Sequence, residues 1–199
     1  VASNIVGNSA ASNQLMATPS FLAATSFIRA VSRKTHAGAG TFDLPLNAQP
    51  IQGTIVIEPR LSADGSHDIV FQFNVGILAA QPAIVTGPGN PSIISSSIVD
   101  GRSVRLRLSG VPEVQRLSIS LMVEGGQSSD MVTSTVNLGF LPGDINASRS
   151  VSAGDIVATK ARANQAANAN NFLFDVNLSG SVSGADVSVV KARSGIAQP

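Results

Sequence analysis

Residues 174–195 read FDVNLSGSVSGADVSVVKARSG, and residues 143–164 read GDINASRSVSAGDIVATKARAN. The two stretches share most of their polar positions, so the C-terminal part of the chain contains an internal duplication. In each copy a loop rich in Asp, Asn and Ser leads into a stretch with apolar residues at helical spacing, DIVATKARA or DVSVVKARS. The duplication predicts two loop–helix units, each with one short helix.

Oxygen-bearing side chains recur at alternate positions of the second loop. Positions 1, 3, 5, 7, 9 and 12 of this loop are Asp175, Asn177, Ser179, Ser181, Ser183 and Asp186. This is the ligand pattern of an EF-hand-type calcium loop, in which position 7 provides its backbone carbonyl and glycine at position 6 permits a sharp bend. Gly180 occupies that sixth position. The spacing predicts a calcium site here.

The first loop repeats the pattern with one change. Its corresponding residues are Asp144, Asn146, Ser148, Ser150, Ser152 and Asp155. Position 6 is Arg149, which has to adopt a positive φ and brings a cation close to the site. Without any metal, the same side chains can cap two helix entrances. We therefore expect one or two Ca2+ ions, with the better ligands in the second loop.

The features that the two copies share resemble the type I dockerin repeat, over about residues 143–195. Each copy begins with Asp-x-Asn, closes its loop with Asp at position 12 and continues into a Lys-x-Arg helix. The resemblance implies a compact, calcium-stabilised two-helix module whose known members bind cohesin domains on extracellular scaffolds. Recognition in the family uses loop positions 10 and 11, which here are the featureless Ala153–Gly154 and Gly184–Ala185, and positions further along the helix. The helix cations that can serve a partner are Lys160, Arg162, Lys191 and Arg193.

Short alternating apolar runs fill the region from about residue 36 to residue 140. In VRLRLSG, the apolar Val104, Leu106 and Leu108 alternate with arginines, as in a strand with one buried face. Eight such runs are predicted as strands: Thr41–Leu46, Thr54–Glu58, Asp68–Val75, Ala83–Thr86, Ser92–Val99, Ser103–Leu108, Arg116–Val123 and Val132–Leu138. The pattern predicts a mainly β fold, an immunoglobulin-like antiparallel β-sandwich, with a barrel as the alternative.

Composition excludes several classes of function. A net charge of +1 and the absence of Trp and Tyr leave no electrostatic or stacking surface for nucleic acid. No apolar run reaches the roughly 20 residues that span a bilayer. With two His and no Cys, we expect no enzyme; Ser66–His67–Asp68 is interpreted as a surface turn. The low charge, and the resemblance to sandwich-plus-dockerin regions of secreted proteins of environmental bacteria, predict a secreted protein of the bacterial cell surface.

Residues 1–28 contain no charged side chain. In the segment SFLAATSFI, alternate residues form two faces, and both faces consist mainly of apolar residues. This pattern suits a strand that lies in a groove or between two sheets. The segment either forms the first strand of its own sandwich or adds to the sheet of a neighbour, a mode that generates filaments. The residues expected to contact such a neighbour are Phe21, Ala23, Thr25, Phe27 and Ile28.

These observations predict three units: an N-terminal arm over residues 1–32, a sandwich over residues 33–141 and a dockerin-like module over residues 142–199. Only about four residues separate the last predicted strand from the first loop, so we expect the module to be rigidly coupled to the sandwich. The favoured function is a self-assembling fibre subunit, stabilised by calcium and joined head to tail by the arm. The alternative is an adaptor that docks a cohesin-like partner.

Overall fold

The computed structural model describes residues 22–46, 55–62 and 64–199. Two helices follow ten strands, and two short strands lie within the helical region. The strands are β1 (Phe27–His36), β2 (Gly40–Leu46), β3 (Val56–Glu58), β4 (His67–Phe73), β5 (Ile77–Ala80), β6 (Ile84–Thr86), β7 (Ser92–Val99), β8 (Ser103–Ser109), β9 (Gln115–Gly125), β10 (Met131–Phe140), β11 (Gln165–Ala166) and β12 (Ser181–Val182). The helices are α1 (Ala153–Lys160) and α2 (Gly184–Ala192).

Two five-stranded sheets form the sandwich. The first has the order β2-β1-β4-β8-β7, and all its pairs are antiparallel. The second has the order β3-β10-β9-β5, with β6 also paired to β9, and its β3–β10 pair is parallel. The predicted antiparallel sandwich is confirmed, with one parallel pair at the edge of the second sheet.

Alternation along the strands builds the core between the two sheets. Val104, Leu106 and Leu108 are fully buried, whereas Arg105 and Arg107 lie outside and contact Asp68 and Asp64. The rest of the buried core comes from both sheets and includes Ile69, Phe71, Phe73, Leu117, Ile119, Leu121, Val123, Val136, Leu138 and Phe140. Period-2 patterning of this kind is a reliable sign of a half-buried strand.

β1 departs from the predicted division of the chain. It runs from Phe27 to His36 and pairs with both β2 and β4, so the sandwich begins before the predicted boundary at residue 33. Phe27 lies opposite Phe73 and packs against the core, and Thr25 bonds to Asp130 through its amide (3.0 Å) and its hydroxyl (2.8 Å). Thr25 and Phe27, predicted to contact a neighbour, are therefore placed within their own sandwich in this structure.

Three more residues of the N-terminal arm were predicted to contact a neighbour. Ala23 and Ile28 are exposed, and Phe21 lies outside the described residues. β5 is a short strand that was not predicted, because its sequence ILAA contains no alternation of apolar and polar residues. No helix in the described part of the chain is long and apolar enough to cross a bilayer.

A second, smaller core joins the C-terminal module to the sandwich. It contains Val151, Val176 and Val190 from the module together with Ile57 of β3 and Leu141. α1 and α2 pack against each other, and β11 pairs with β12. This shared core places the module directly on one end of the sandwich.

Candidate metal centre

The second loop is folded around the carboxylates at its two ends. The amides of Ser179 and Gly180 donate to Asp175 at 2.9 and 2.8 Å. The Ser179 amide also donates to the Asn177 side-chain oxygen at 3.0 Å, and its hydroxyl donates to the Ser181 carbonyl at 3.1 Å. The oxygens of positions 1, 3 and 7 therefore lie within hydrogen-bond distance of Ser179 at position 5, and these are the oxygen types that calcium binds.

The first loop has the same arrangement. Asp144 accepts hydrogen bonds from the amides of Ser148 (3.0 Å) and Arg149 (2.8 Å). The Ser148 amide also donates to Asn146 at 2.9 Å, and its hydroxyl donates to the Ser150 carbonyl at 2.9 Å. Arg149 has φ = +69°, which confirms the positive φ expected at position 6, where the second loop has Gly180 at +88°.

Helix capping uses a different part of each loop. Ser152 and Asp155 form a capping box at the start of α1, and Ser183 and Asp186 form one at the start of α2. The capping interpretation is thus correct for positions 9 and 12. The oxygens at positions 1, 3 and 7 take part in hydrogen bonds within the loop instead and lie close to position 5 in both loops. Capping and metal binding are therefore compatible.

The burial of four carboxylates supports a cation in each loop. Asp144 is 1% exposed, and Asp155, Asp175 and Asp186 are fully buried. Each of the four accepts hydrogen bonds from backbone amides of its own loop, which are uncharged donors. Buried charges are normally paired or bound to metal, so these carboxylates fit a cation better than they fit a closed protein interior. The burial of Asp144 raises the pKa of its carboxyl above the ordinary value, and the nearby Asp155 acts in the same direction; a bound cation would oppose both effects.

Most of the oxygens that the two loops could provide to a metal ion are uncharged. Among the described residues, no group of three or more His, Cys, Asp or Glu side chains is arranged to hold a metal ion. Each loop instead combines two carboxylates with amide, hydroxyl and carbonyl oxygens. Calcium accepts such a mixed set of hard oxygens, whereas zinc and copper prefer nitrogen and sulfur ligands. The residue types therefore favour Ca2+ among the common metals.

His36 of β1 joins the second loop to the sandwich. Its Nδ1 lies 2.7 Å from Asp175 Oδ2, and its Nε2 lies 3.3 Å from Arg60 Nη1, with all three side chains buried. Since a guanidinium can only donate, His36 accepts at Nε2 and donates from Nδ1 to Asp175. Burial lowers the pKa of His36, in agreement with this neutral tautomer. A hydrogen bond of this kind orients the ligand at position 1 of the loop.

Arg60 is held in turn by a buried carboxylate. Its guanidinium makes two contacts with Glu58, at 2.7 and 2.8 Å, and donates to the Ser32 carbonyl at 3.1 Å. The guanidinium carbon also lies 5.0 Å from the centre of the Phe172 ring. Arg60 lowers the pKa of Glu58 to about 2 against the opposing effect of burial, so this pair remains ionised.

Backbone contacts reinforce this attachment. The amide of Ala37 donates to the Leu178 carbonyl at 2.9 Å, and the amide of Leu61 donates to the Val176 carbonyl at 2.8 Å. At the other side of the module, Arg193 forms an ion pair with Glu113 at 2.7 Å. These contacts agree with the rigid coupling that the short connection predicted.

Sequence reasoning did not identify His36, Arg60 and Glu58 as part of the site. They lie more than 100 residues before the second loop, and no spacing in the sequence links them to it.

The interpretation of Ser66–His67–Asp68 as a surface turn was wrong for His67. This residue begins β4, is 7% exposed and lies 3.0 Å from Lys34 Nζ through its Nδ1. It is buried because its ring packs against Phe140.

Comparison with known protein families gives a match in the C-terminal part of the chain. Residues 142–193 match the family model of the dockerin type I domain. No curated protein and no solved structure matches the chain significantly. Dockerins are non-catalytic modules and generally bind calcium. The loop spacing, the two capped helices and the family match agree: the C-terminal region of this chain is a type I dockerin-like module that follows a β-sandwich.

Proposed function

We propose that the chain is a non-enzymatic, extracellular structural protein whose dockerin-like module and sandwich act as one calcium-stabilised unit, repeated as the subunit of a filament. The observation that carries the proposal is the buried chain of contacts from Arg60 through His36 to Asp175. It ties a metal ligand to a central strand of the sandwich. A tethered docking plug has no need for such an attachment, whereas a load-bearing subunit does.

Two calcium ions are proposed, one in each loop. The first is held by Asp144, Asn146, Ser148, Ser152, Asp155 and the carbonyl of Ser150, and the second by Asp175, Asn177, Ser179, Ser183, Asp186 and the carbonyl of Ser181. Each ion would neutralise two buried carboxylates and hold the loop against its helix. Calcium therefore has a mechanical role in this proposal and takes part in no reaction.

The proposal that the chain is not an enzyme is supported by the structural contacts of its two histidines. His36 orients Asp175, and His67 contacts Lys34 inside the sandwich. Both rings are buried, at 0% and 7% exposure, so neither is placed to meet a substrate.

The filament part of the proposal assigns the joining role to residues 1–21. Thr25 bonds to Asp130 and Phe27 pairs with Phe73 in their own sandwich. A strand that joins two copies therefore has to come from residues before Thr25. Residues 1–21 carry no charge and contain Ile5, Val6, Leu15 and Met16. An uncharged segment has no charge to desolvate when it is added to the edge of a sheet.

The alternative is an adaptor that docks a cohesin-like partner, and the family match favours it. Ala153, Gly154, Gly184 and Ala185, at the loop positions that the family uses for recognition, are exposed but carry no group that could specify a partner. Arg193, one of the four helix cations, is engaged with Glu113 of the sandwich. The filament therefore remains the favoured proposal.

Negative-stain microscopy in calcium tests the proposed function. The full chain is expected to form filaments, and a chain lacking residues 1–21 is expected to remain as single particles. The deletion stops before Thr25 and so keeps the contact with Asp130. Single particles from both chains would contradict the filament and would direct the search to a cohesin-like partner.

A further inference from the structure

The edge strand β7 is unprotected against pairing with another strand. Among the strands that the structure describes, it pairs only with β8. Its sequence, SIISSSIV, contains no charged residue and no proline. Edge strands usually carry such residues because a long, uncharged edge invites a further strand. The opposite edge of the same sheet, β2, has both Asp43 and Pro45.

The core-facing side of β7 is open to solvent. Ser96 lies opposite Leu106, and Ile98 lies opposite Val104. Opposed residues of an antiparallel pair share one face of the sheet, so Ser96 and Ile98 point toward the core. Leu106 and Val104 are fully buried, whereas Ile98 is 38% exposed and Ser96 is exposed as well. The inward side chains of β7 are therefore open to solvent along this edge, although the core residues of β8 behind them are buried.

A groove of about 480 Å³ lies between β7 and the segment that joins β5 to β6. Its lining consists of Ala80, Gln81, Pro82, Ala83 and the residues 93–98, none of them charged. Ile94 in this lining is 56% exposed, and Ile84, which follows the lining residue Ala83 in sequence, is 63% exposed. The groove thus offers apolar surface and serine hydroxyls along one free strand edge, which fits an extended, uncharged polypeptide.

We infer that this groove binds the N-terminal segment of a second copy of the chain, added as a strand along β7 by residues within 1–21. The inference rests on the proposed filament and names its receiving surface. The segment has no charge, which matches the uncharged groove. Its 21 residues exceed the roughly 5–6 that a strand takes, so the remainder can connect two copies. Because donor and acceptor surfaces differ, the contact is heterologous and repeats head to tail.

Disulfide trapping in the full chain tests the contact, since the sequence contains no cysteine. A Ser97→Cys variant places a thiol on β7, and separate Ser3→Cys and Ser12→Cys variants place one in the N-terminal segment. On mixing and oxidation, a Ser97→Cys chain is expected to link to one of the N-terminal variants. Thr41→Cys, at an exposed position of the opposite edge β2, is the matched control and is expected to link to neither.

A charge in the groove gives a second readout that does not depend on oxidation. Ser96→Lys is expected to reduce filament formation about tenfold or more, because an unpaired ammonium resists burial under an added strand. Thr133→Lys, at an exposed position of β10, is its control and is expected to assemble like the unmodified chain.

The outcomes separate this inference from the proposed function. Filaments without links to β7, or with links to Thr41→Cys, would overturn the groove and leave the filament standing. Chains that carry Ser97→Cys together with Ser3→Cys or Ser12→Cys distinguish the two occupants. Links formed only within such single chains would show that the segment covers its own β7, and would overturn the second copy as the occupant. The absence of both filaments and links would contradict the proposed function together with the inference.

Discussion

At the scale of single residues, His36 is the side chain on which the attachment of the module depends. It accepts from Arg60 and donates to Asp175, so its tautomer is fixed from both sides. The folding of each loop around its Asp, Asn and Ser side chains could be predicted from the sequence because these residues lie within twelve residues of one another. His36 was not, because it lies 139 residues from Asp175 and only the fold brings the two together.

The second histidine, His67, leads to a prediction of how the stability of the folded chain depends on pH. Burial, with the nearby charge of Lys34, lowers the pKa of His67 to about 3. In the unfolded chain its pKa is near 6.5, so below pH 6.5 the unfolded state binds a proton that the folded state does not. The stability contributed by neutral His67 is therefore fully present above pH 6.5 and is lost as the pH falls toward 3.

Between pH 6.5 and pH 4.5 the lowered pKa of His36 acts in the same direction, so the effect of His67 is isolated by comparison with His67→Gln, which keeps His36. Glu58, with its pKa lowered to about 2, contributes only below its ordinary value near 4.5. Over this range the free energy of unfolding should fall by about 2 kcal/mol more in the unmodified chain than in His67→Gln. Urea unfolding of both proteins in the same calcium buffer measures the difference. Equal slopes against pH would show that His67 is not held neutral.

At the scale of elements, the alternation of apolar and polar residues predicted strands that bury one face. It did not predict β1, in which residues on both faces are buried. β8 and β9 show clean alternation and were predicted nearly to their ends. In β1, Val31 is buried on one face, while Ser32, Lys34 and His36 are buried on the other. Polar residues on a buried face break the hydrophobic pattern, so the sequence did not show that β1 is a central strand.

The contact between the second loop and the β1–β2 turn can be tested with a pair of glycine substitutions. Gly180 and Gly195 have nearly equal φ values, +88° and +89°. A Cβ at Gly180 would lie 1.7 Å from the Ala37 carbonyl oxygen, whereas a Cβ at Gly195 would meet nothing within 4 Å. Gly195→Ala should cost about 1 kcal/mol from backbone strain alone.

Gly180→Ala should destabilise the protein by about 1–3 kcal/mol more than Gly195→Ala, because it also pushes the loop away from β1. Urea unfolding in saturating calcium compares the two variants. If both lost the same stability, the close approach of Gly180 to Ala37 would not exist in solution.

At the scale of the whole molecule, the module and the sandwich share a core and a buried hydrogen-bond network. Ile57 of β3 packs with Val176 and Val190 of the module, and His36 bonds to Asp175. The family match covers only residues 142–193 and gives no information on this attachment. The sequence indicated it through the short connection alone, and the contacts that create it come from residues far apart in the chain.

Such an attachment predicts that calcium stabilises the sandwich as well as the module. A ligand at 100 times its Kd adds about 2.7 kcal/mol to the folded state. In a chain of about 200 residues this corresponds to a rise in Tm of about 5–10 °C. Asp186→Asn, which removes one carboxylate from the second loop, should shrink this rise, and Asp155→Asn provides the matched change in the first loop.

Differential scanning calorimetry with calcium and with chelator tests the central claim most directly. One transition that moves as a whole with calcium is expected, because the second loop is tied to β1 through His36. Two transitions, of which only the smaller responds to calcium, would show that the module folds independently of the sandwich and would contradict the account.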